Sequence, residues 1–173
     1  DSYAAGDRST LLNGGRLLIV VETAPPADIP ANLLRQYAGR NPVTWIGTPP
    51  PPDFEGRVTS APAIAGLPDA GYDDVIYFGA NAASAEPLFR KVAPRGLMNI
   101  VTCGRRFGRP VVTAIGRVHY GGIRLIGTTG HDPAESMATI PASGEIRRGD
   151  KINVIGAGGP MGVMHVIRNI CQG

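Results

Sequence analysis

Short, uninterrupted apolar runs separated by helix-patterned or glycine- and proline-broken segments constrain this chain more than anything else in it. Arg16–Val21, after Gly14-Gly15, is almost wholly apolar, and Val43–Ile46, Asp73–Phe78, Gly96–Val101, Val111–Ile115, Ile123–Gly127 and Ile152–Ile155 repeat the pattern. A strand apolar at consecutive positions is covered on both faces, which is the signature of a parallel sheet sandwiched between helices. Helical segments fall between the runs. Asp28–Tyr37 has Asp28 placed to cap it and Pro30 in its first turn, with Gly39 beyond its end. Ser84–Val92 carries Leu88, Phe89 and Val92 at core spacing, Asp132–Ile140 reads as a helix or loose turn, and Pro160–Ile170 as the last helix. Alternation at close spacing with right-handed crossovers gives an α/β fold: a doubly wound, mostly parallel sheet with helices on both faces. The 24 glycines and 16 prolines among 173 residues fit many short elements and turns.

The tail places a glycine cluster between a strand pattern and a helix pattern. Ile152–Ile155 runs into Gly156-Ala157-Gly158-Gly159-Pro160-Met161-Gly162, and helical spacing follows. Strand, glycine turn and helix in that order open a Rossmann-like dinucleotide-binding unit. Glycines let the backbone approach a pyrophosphate, and the N–H groups and dipole at the helix start attract its charge. Gly156, Gly158, Gly159, Pro160, Met161 and Gly162 are therefore the candidate cofactor-binding residues. The G-x-G-x-x-G spacing does not fit from Gly156. It fits from Ala157, with Gly159 and Gly162 in the later slots, and alanine is acceptable there if its φ is negative. A tight turn with no ligand is the alternative reading of the same residues.

Other features limit the function. The net charge is +3, but the arginines are scattered, densest at Arg105-Arg106 with Arg109 and at Arg147-Arg148. No basic stripe interleaved with aromatics indicates nucleic acid. No segment approaches the roughly 18 consecutive apolar residues of a membrane helix. Cys103 and Cys171 lack neighbours at metal-ligand spacing and are expected to be buried thiols of a cytoplasmic protein. His119, His131 and His165 are scattered, and no serine sits in a G-x-S-x-G elbow, so no catalytic residue is assigned. Pro49–Pro52 reads as a stiff surface spacer.

Two tracts together resemble the coenzyme domain of medium-chain, zinc-type alcohol dehydrogenases. Tyr72–Gly79, Glu86–Gly104 (with Pro94-Arg95-Gly96-Leu97 leading into a strand) and Val118–Gly127 are similar to the second half of that domain. Gly149–Gly162 is similar to its first strand and glycine loop, and the sorbitol or sugar-phosphate dehydrogenase branch looks nearest. The resemblance implies NAD or NADP as cofactor and a small polyol or sugar phosphate as substrate. It also implies zinc in a parent protein but not in this piece, and a homodimer paired through the edge strand Ile123–Gly127. The order is reversed relative to the family, because the glycine loop comes last.

Two arrangements fit. In one, residues 1–131 form a Rossmann-like unit whose first turn, Glu22–Pro26, has lost its glycines; residues 132–150 connect it to a second unit opened by residues 151–173. In the other, Ile152–Ile155 joins the same sheet. The acidic ribose partner belongs about 20 residues beyond the glycine loop, past Gly173, so the chain is read as a fragment expected to be inactive alone. A non-catalytic Rossmann-like scaffold or oligomerisation domain, and another α/β nucleotide- or phosphate-binding enzyme, are the rival functions.

Overall fold

A computed structural model describes residues 11–54, 57–140 and 148–172. The chain divides into two compact units, Asp1–Ile140 and Pro141–Gly173. In the first, strands and helices alternate as β1 (Leu17–Val21), α1 (Asp28–Tyr37), β2 (Val43–Gly47), β3 (Thr59–Ser60), β4 (Tyr72–Phe78), α2 (Ala82–Lys91), β5 (Val92–Val101), α3 (Ile115–Tyr120), β6 (Arg124–Thr128) and α4 (Pro133–Met137). The strands form one six-stranded sheet in the order β3-β2-β1-β4-β5-β6, and every pairing is parallel. This is the 3-2-1-4-5-6 order of a doubly wound dinucleotide-binding sheet.

The uninterrupted apolar runs end up where two-sided burial requires. Every residue of β1 is buried. Its odd-numbered side chains, Leu17, Ile19 and Val21, join Trp45, Ile76, Phe78, Leu97 and Val101 in one layer, covered by Leu33, Leu34 and Tyr37 of α1. Leu18 and Val20 join Val75, Tyr77 and Met98 on the opposite face, under Ala85, Leu88 and Phe89 of α2. At roughly 25 cal/mol per Å² of apolar surface, each such side chain contributes about 1.5–3 kcal/mol.

The first face includes a polar position, Asn99 of β5, which is fully buried. Its Nδ2 donates to the Pro133 carbonyl at 3.0 Å, and Ser136 Oγ donates to its Oδ1 at 2.7 Å. The pair fixes α4 on this face. The chain from Asp132, expected to begin a connector, is therefore part of the first unit as far as Ile140. Residues 141–147 of that expected connector lie outside the described residues.

Four further expectations change. Val111–Ile115 forms no strand: residues 111–114 are irregular and Ile115 starts α3. The ladder position beside β5 is already taken by β6, and a short apolar run does not by itself specify a strand. Asp28 is the first residue of α1 rather than its cap; Ala27 precedes it in helical conformation with no side-chain cap. Pro94–Gly96 is not a turn before a strand but a kink inside β5. Tyr72 pairs with Val92 and Asp74 with Leu97 across a register shift, and Arg95 adopts φ +63°. Cys171 is exposed, and Cys103 is half-buried.

In the second unit, α5 (Pro160–Gln172) is the one regular element among the described residues. Ile152–Val154 adopts no strand conformation and supplies no strand to the sheet. An extended segment becomes a strand only by pairing, and the described residues of this unit offer no partner.

Candidate functional site

The first unit places a crevice where open α/β sheets receive ligands: beyond the C-terminal ends of β1 and β4, the strands between which the order reverses. A cavity of about 490 Å³ lies there, lined by Glu22, Thr23, Ala80, Asn81, Arg105 and Arg106. Glu22 follows β1 directly. Its carboxylate accepts from the Tyr77 hydroxyl and from Ser84 Oγ. The Tyr77 oxygen in turn accepts from the Asn81 N–H at 3.0 Å. Burial, and then the Glu22 carboxylate, push the Tyr77 phenol above its ordinary range. The Glu22 and Thr23 N–H groups both donate to the Phe78 carbonyl, at 2.9 and 3.0 Å.

This turn is a poor pyrophosphate cradle. Pro25 and Pro26 have no N–H, the N–H groups of Glu22 and Thr23 are committed, and α1 opens with the carboxylate of Asp28. The glycine-free turn Glu22–Pro26 is thus accompanied by a hydrogen-bonded carboxylate.

The glycine loop lies in the second unit. Ile155–Gly158 forms a turn in which Gly156 takes φ +79°, while Ala157 keeps a negative φ. The Gly159 N–H donates to the Gly156 carbonyl at 3.1 Å, and the Val163 N–H to the Gly159 carbonyl at 2.9 Å, carrying the turn into α5. The glycines divide by role. A Cβ on Gly162 would lie 2.2 Å from the Gly156 carbonyl oxygen and 2.6 Å from Ala157 Cα, so the first turn of α5 sits directly on the loop. A Cβ on Gly159 would meet nothing closer than 3.7 Å, and one on Gly158 nothing within 4 Å. The space around these two positions is open and does not serve the chain's own packing, while the Gly159 N–H is itself committed to the Gly156 carbonyl. Pro160 opens the helix, where a missing N–H costs nothing, and Met161 is exposed.

The described residues contain no group of three or more His, Cys, Asp or Glu side chains placed to hold a metal ion. They do not fit a zinc site. His119 stacks edge-on against Tyr120 at 5.0 Å between ring centroids. No helix among the described residues is long and apolar enough to cross a membrane.

Sequence reasoning missed the crevice. Glu22 is far in sequence from Tyr77 and Ser84, and the parallel pairing of Val20 with Tyr77 brings it to them. The one legible signal was an acidic residue directly after a buried apolar run.

No family model and no curated protein matches the sequence. Solved structures do match in fold. An alcohol dehydrogenase zinc-binding domain protein from Burkholderia ambifaria superposes with a TM-score of 0.53 at 13% identity, over 79% of this chain and 39% of that one. A cobalt- and zinc-bound thermostable alcohol dehydrogenase from Pyrobaculum aerophilum gives 0.49 at 18% identity, over 80% and 42%. A glucose dehydrogenase from Haloferax mediterranei, solved with NADP, zinc and gluconolactone, gives 0.48 at 11% identity, over 81% and 45%. The chain therefore spans less than half the length of each of these structures.

Proposed function

We propose that this chain is the nicotinamide-dinucleotide-binding part of a medium-chain, zinc-type dehydrogenase. In this reading Gly156–Gly162 holds the pyrophosphate of NAD or NADP, and the parent protein acts on a small polyol or sugar phosphate. The observation that carries the reading is the division of labour in the loop: Gly162 is required by packing, whereas Gly158 and Gly159 leave space open at the start of a 13-residue helix. The six-stranded parallel order and the fold likeness to a zinc-binding alcohol dehydrogenase support it. The cofactor would supply hydride chemistry; the chain's own part is to hold it. Zinc, if the parent uses it, is bound by residues other than those described. Two free thiols, Cys103 and Cys171, suit a reducing compartment such as the cytoplasm.

The experiment is Gly159→Ala. The new methyl clears every neighbour within the chain, so the fold is expected to be unchanged while NADH affinity, followed by its fluorescence, falls at least about tenfold, or about 1.4 kcal/mol. Equal affinity in the variant removes the loop from the cofactor site. The same reading includes a homodimer through Ile123–Gly127. β6 is an edge strand, and Tyr120, Ile115 and Leu125 nearby in sequence are exposed apolar residues, so the uncovered edge invites pairing with a second copy. A monomer by light scattering at high micromolar concentration contradicts it.

A second reading, a scaffold without a ligand over β1, is favoured for the first unit by its glycine-free turn. It leaves the cavity beside that turn unexplained.

A further inference from the structure

The first unit keeps a formed cavity at the sheet's switch point although its β1–α1 turn is unsuited to a dinucleotide. Two arginines line that cavity, and neither guanidinium is engaged. Among the described residues no carboxylate pairs with Arg105 or Arg106, and neither side chain donates a hydrogen bond. By contrast Arg109, Arg90 and Arg117 nearby in the chain are all held by Glu86, Asp69 or main-chain carbonyls.

The backbone that presents these arginines is fixed. Thr102–Arg105 is a tight turn closed by the Arg105 N–H donating to the Thr102 carbonyl at 3.0 Å, with φ +51° at Cys103 and +75° at Gly104. Positive φ at both central residues defines a type I′ turn. A side-chain-bearing residue in that region costs of order 1–3 kcal/mol and persists where its surroundings over-determine it. Here they do: the Cys103 N–H donates to the Gly130 carbonyl at 3.0 Å, the Gly104 N–H to the Thr129 carbonyl at 2.7 Å, and the Cys103 thiol lies 4.0 Å from the Thr23 carbonyl oxygen. The turn is pinned to the end of β6 and lies against the end of β1.

Facing the cavity is the Glu22 carboxylate. An ionised carboxylate has about four acceptor sites, and Tyr77 and Ser84 use two of them. Unused acceptor capacity thus lines the same cavity as two unengaged guanidinium groups. A dinucleotide does not suit this arrangement, since its pyrophosphate would meet the Glu22 carboxylate and a turn in which the Glu22 and Thr23 N–H groups are committed and Pro25 and Pro26 have none. A compact molecule with one anionic end and hydroxyl donors does. Guanidinium forks match the oxygens of a phosphate, and hydroxyls satisfy the remaining lone pairs of Glu22.

We infer that the crevice over β1 and β4 binds the phosphate monoester of a small polyol, with Arg105 and Arg106 on the phosphate and Glu22 on a hydroxyl. This site lies wholly within the first unit and stands whether or not the glycine loop binds a nicotinamide dinucleotide.

The test is calorimetric titration of the 173-residue protein with glycerol 3-phosphate, inorganic phosphate and glycerol in parallel. Glycerol 3-phosphate is expected to bind at least about tenfold more tightly than either of the other two. The double variant R105A/R106A, altered only at exposed side chains, is expected to keep its melting temperature and lose that binding by about tenfold or more. Glu22→Gln is expected to retain phosphate binding while narrowing the gap between the ester and inorganic phosphate. Equal affinity for the ester and for phosphate reduces the site to an anion patch and overturns the inference. So does undiminished binding by the double variant, or no heat with the ester at about 10 mM.

Discussion

Two turns that lead into helices, Glu22–Ala27 and Gly156–Gly159, divide between them what a dinucleotide site needs. The first has the sheet: β1 is central, buried on both faces, and flanked by β2 and β4 at the switch point. It lacks glycine, carries two prolines, and has its carboxylate tied to Tyr77 and Ser84. The second has the glycine loop and a helix N-terminus but no paired strand before it among the described residues. A doubly wound sheet and a glycine loop are thus separable properties. Apolar runs and crossovers build the sheet, whereas a handful of glycine positions decide whether backbone can approach a phosphate.

The largest expected effect sharpens the difference in stability. Ile76→Ala, at a fully buried position of β4, is expected to destabilise the first unit by about 2–5 kcal/mol in urea unfolding, since it leaves a cavity in a two-sided core. Ile170→Ala on α5, where the side chain is 74% exposed, is expected to change stability by less than about 0.5 kcal/mol. A comparable loss at both positions would mean that α5 is packed as deeply as the sheet.

Next in size is the polar tie under α4. Ser136→Ala leaves the buried Asn99 Oδ1 without its donor, at about 1–3 kcal/mol. An unchanged unfolding midpoint would show that this bond does not hold α4. Glu22→Gly, which restores a glycine to the first turn, is expected not to create NADH binding, because Pro25 and Pro26 still offer no N–H. Micromolar affinity gained by that variant would break the contrast between the two turns.

The smallest effect is electrostatic. The Arg109 guanidinium, and then the Val112 N–H, hold the Glu86 carboxyl down at about 2, below its ordinary 4.5. A depressed carboxyl stabilises the fold fully above its unfolded value and loses that contribution as pH falls toward its folded value. The melting-temperature difference between the protein and Glu86→Gln is therefore expected to hold above about pH 4.5 and to shrink as pH falls toward about 2. A gap that widens on acidification would contradict the pairing.

Much of the architecture was legible in the sequence because two-sided burial leaves a one-dimensional trace. Residues 17–21, 43–46 and 73–78 are unbroken apolar runs or close to it, and they became β1, β2 and β4. Val111–Ile115 misled, because its β-branched residues looked like a strand and the competitor for the place beside β5, β6, is decided by long-range pairing. The kink at Arg95 was hidden for the same reason: a register shift is a property of two strands. In the glycine loop the spacing was visible but the roles were not. Which glycine is needed for packing follows from the 2.2 Å approach at Gly162 and the open space at Gly158 and Gly159. The crevice was illegible, since Glu22, Tyr77 and Arg105 meet only after folding.

On the proposed reading a nicotinamide dinucleotide engages Gly156–Gly162 and not Glu22–Ala27. Amide chemical-shift mapping of the 15N-labelled protein during NADH titration tests it most directly. Shifts are expected to concentrate at Gly156, Gly158, Gly159 and the first turn of α5, with Glu22, Thr23 and Asn81 unmoved. Shifts concentrated at Glu22, Thr23 and Asn81, or none at the glycine loop, would contradict it.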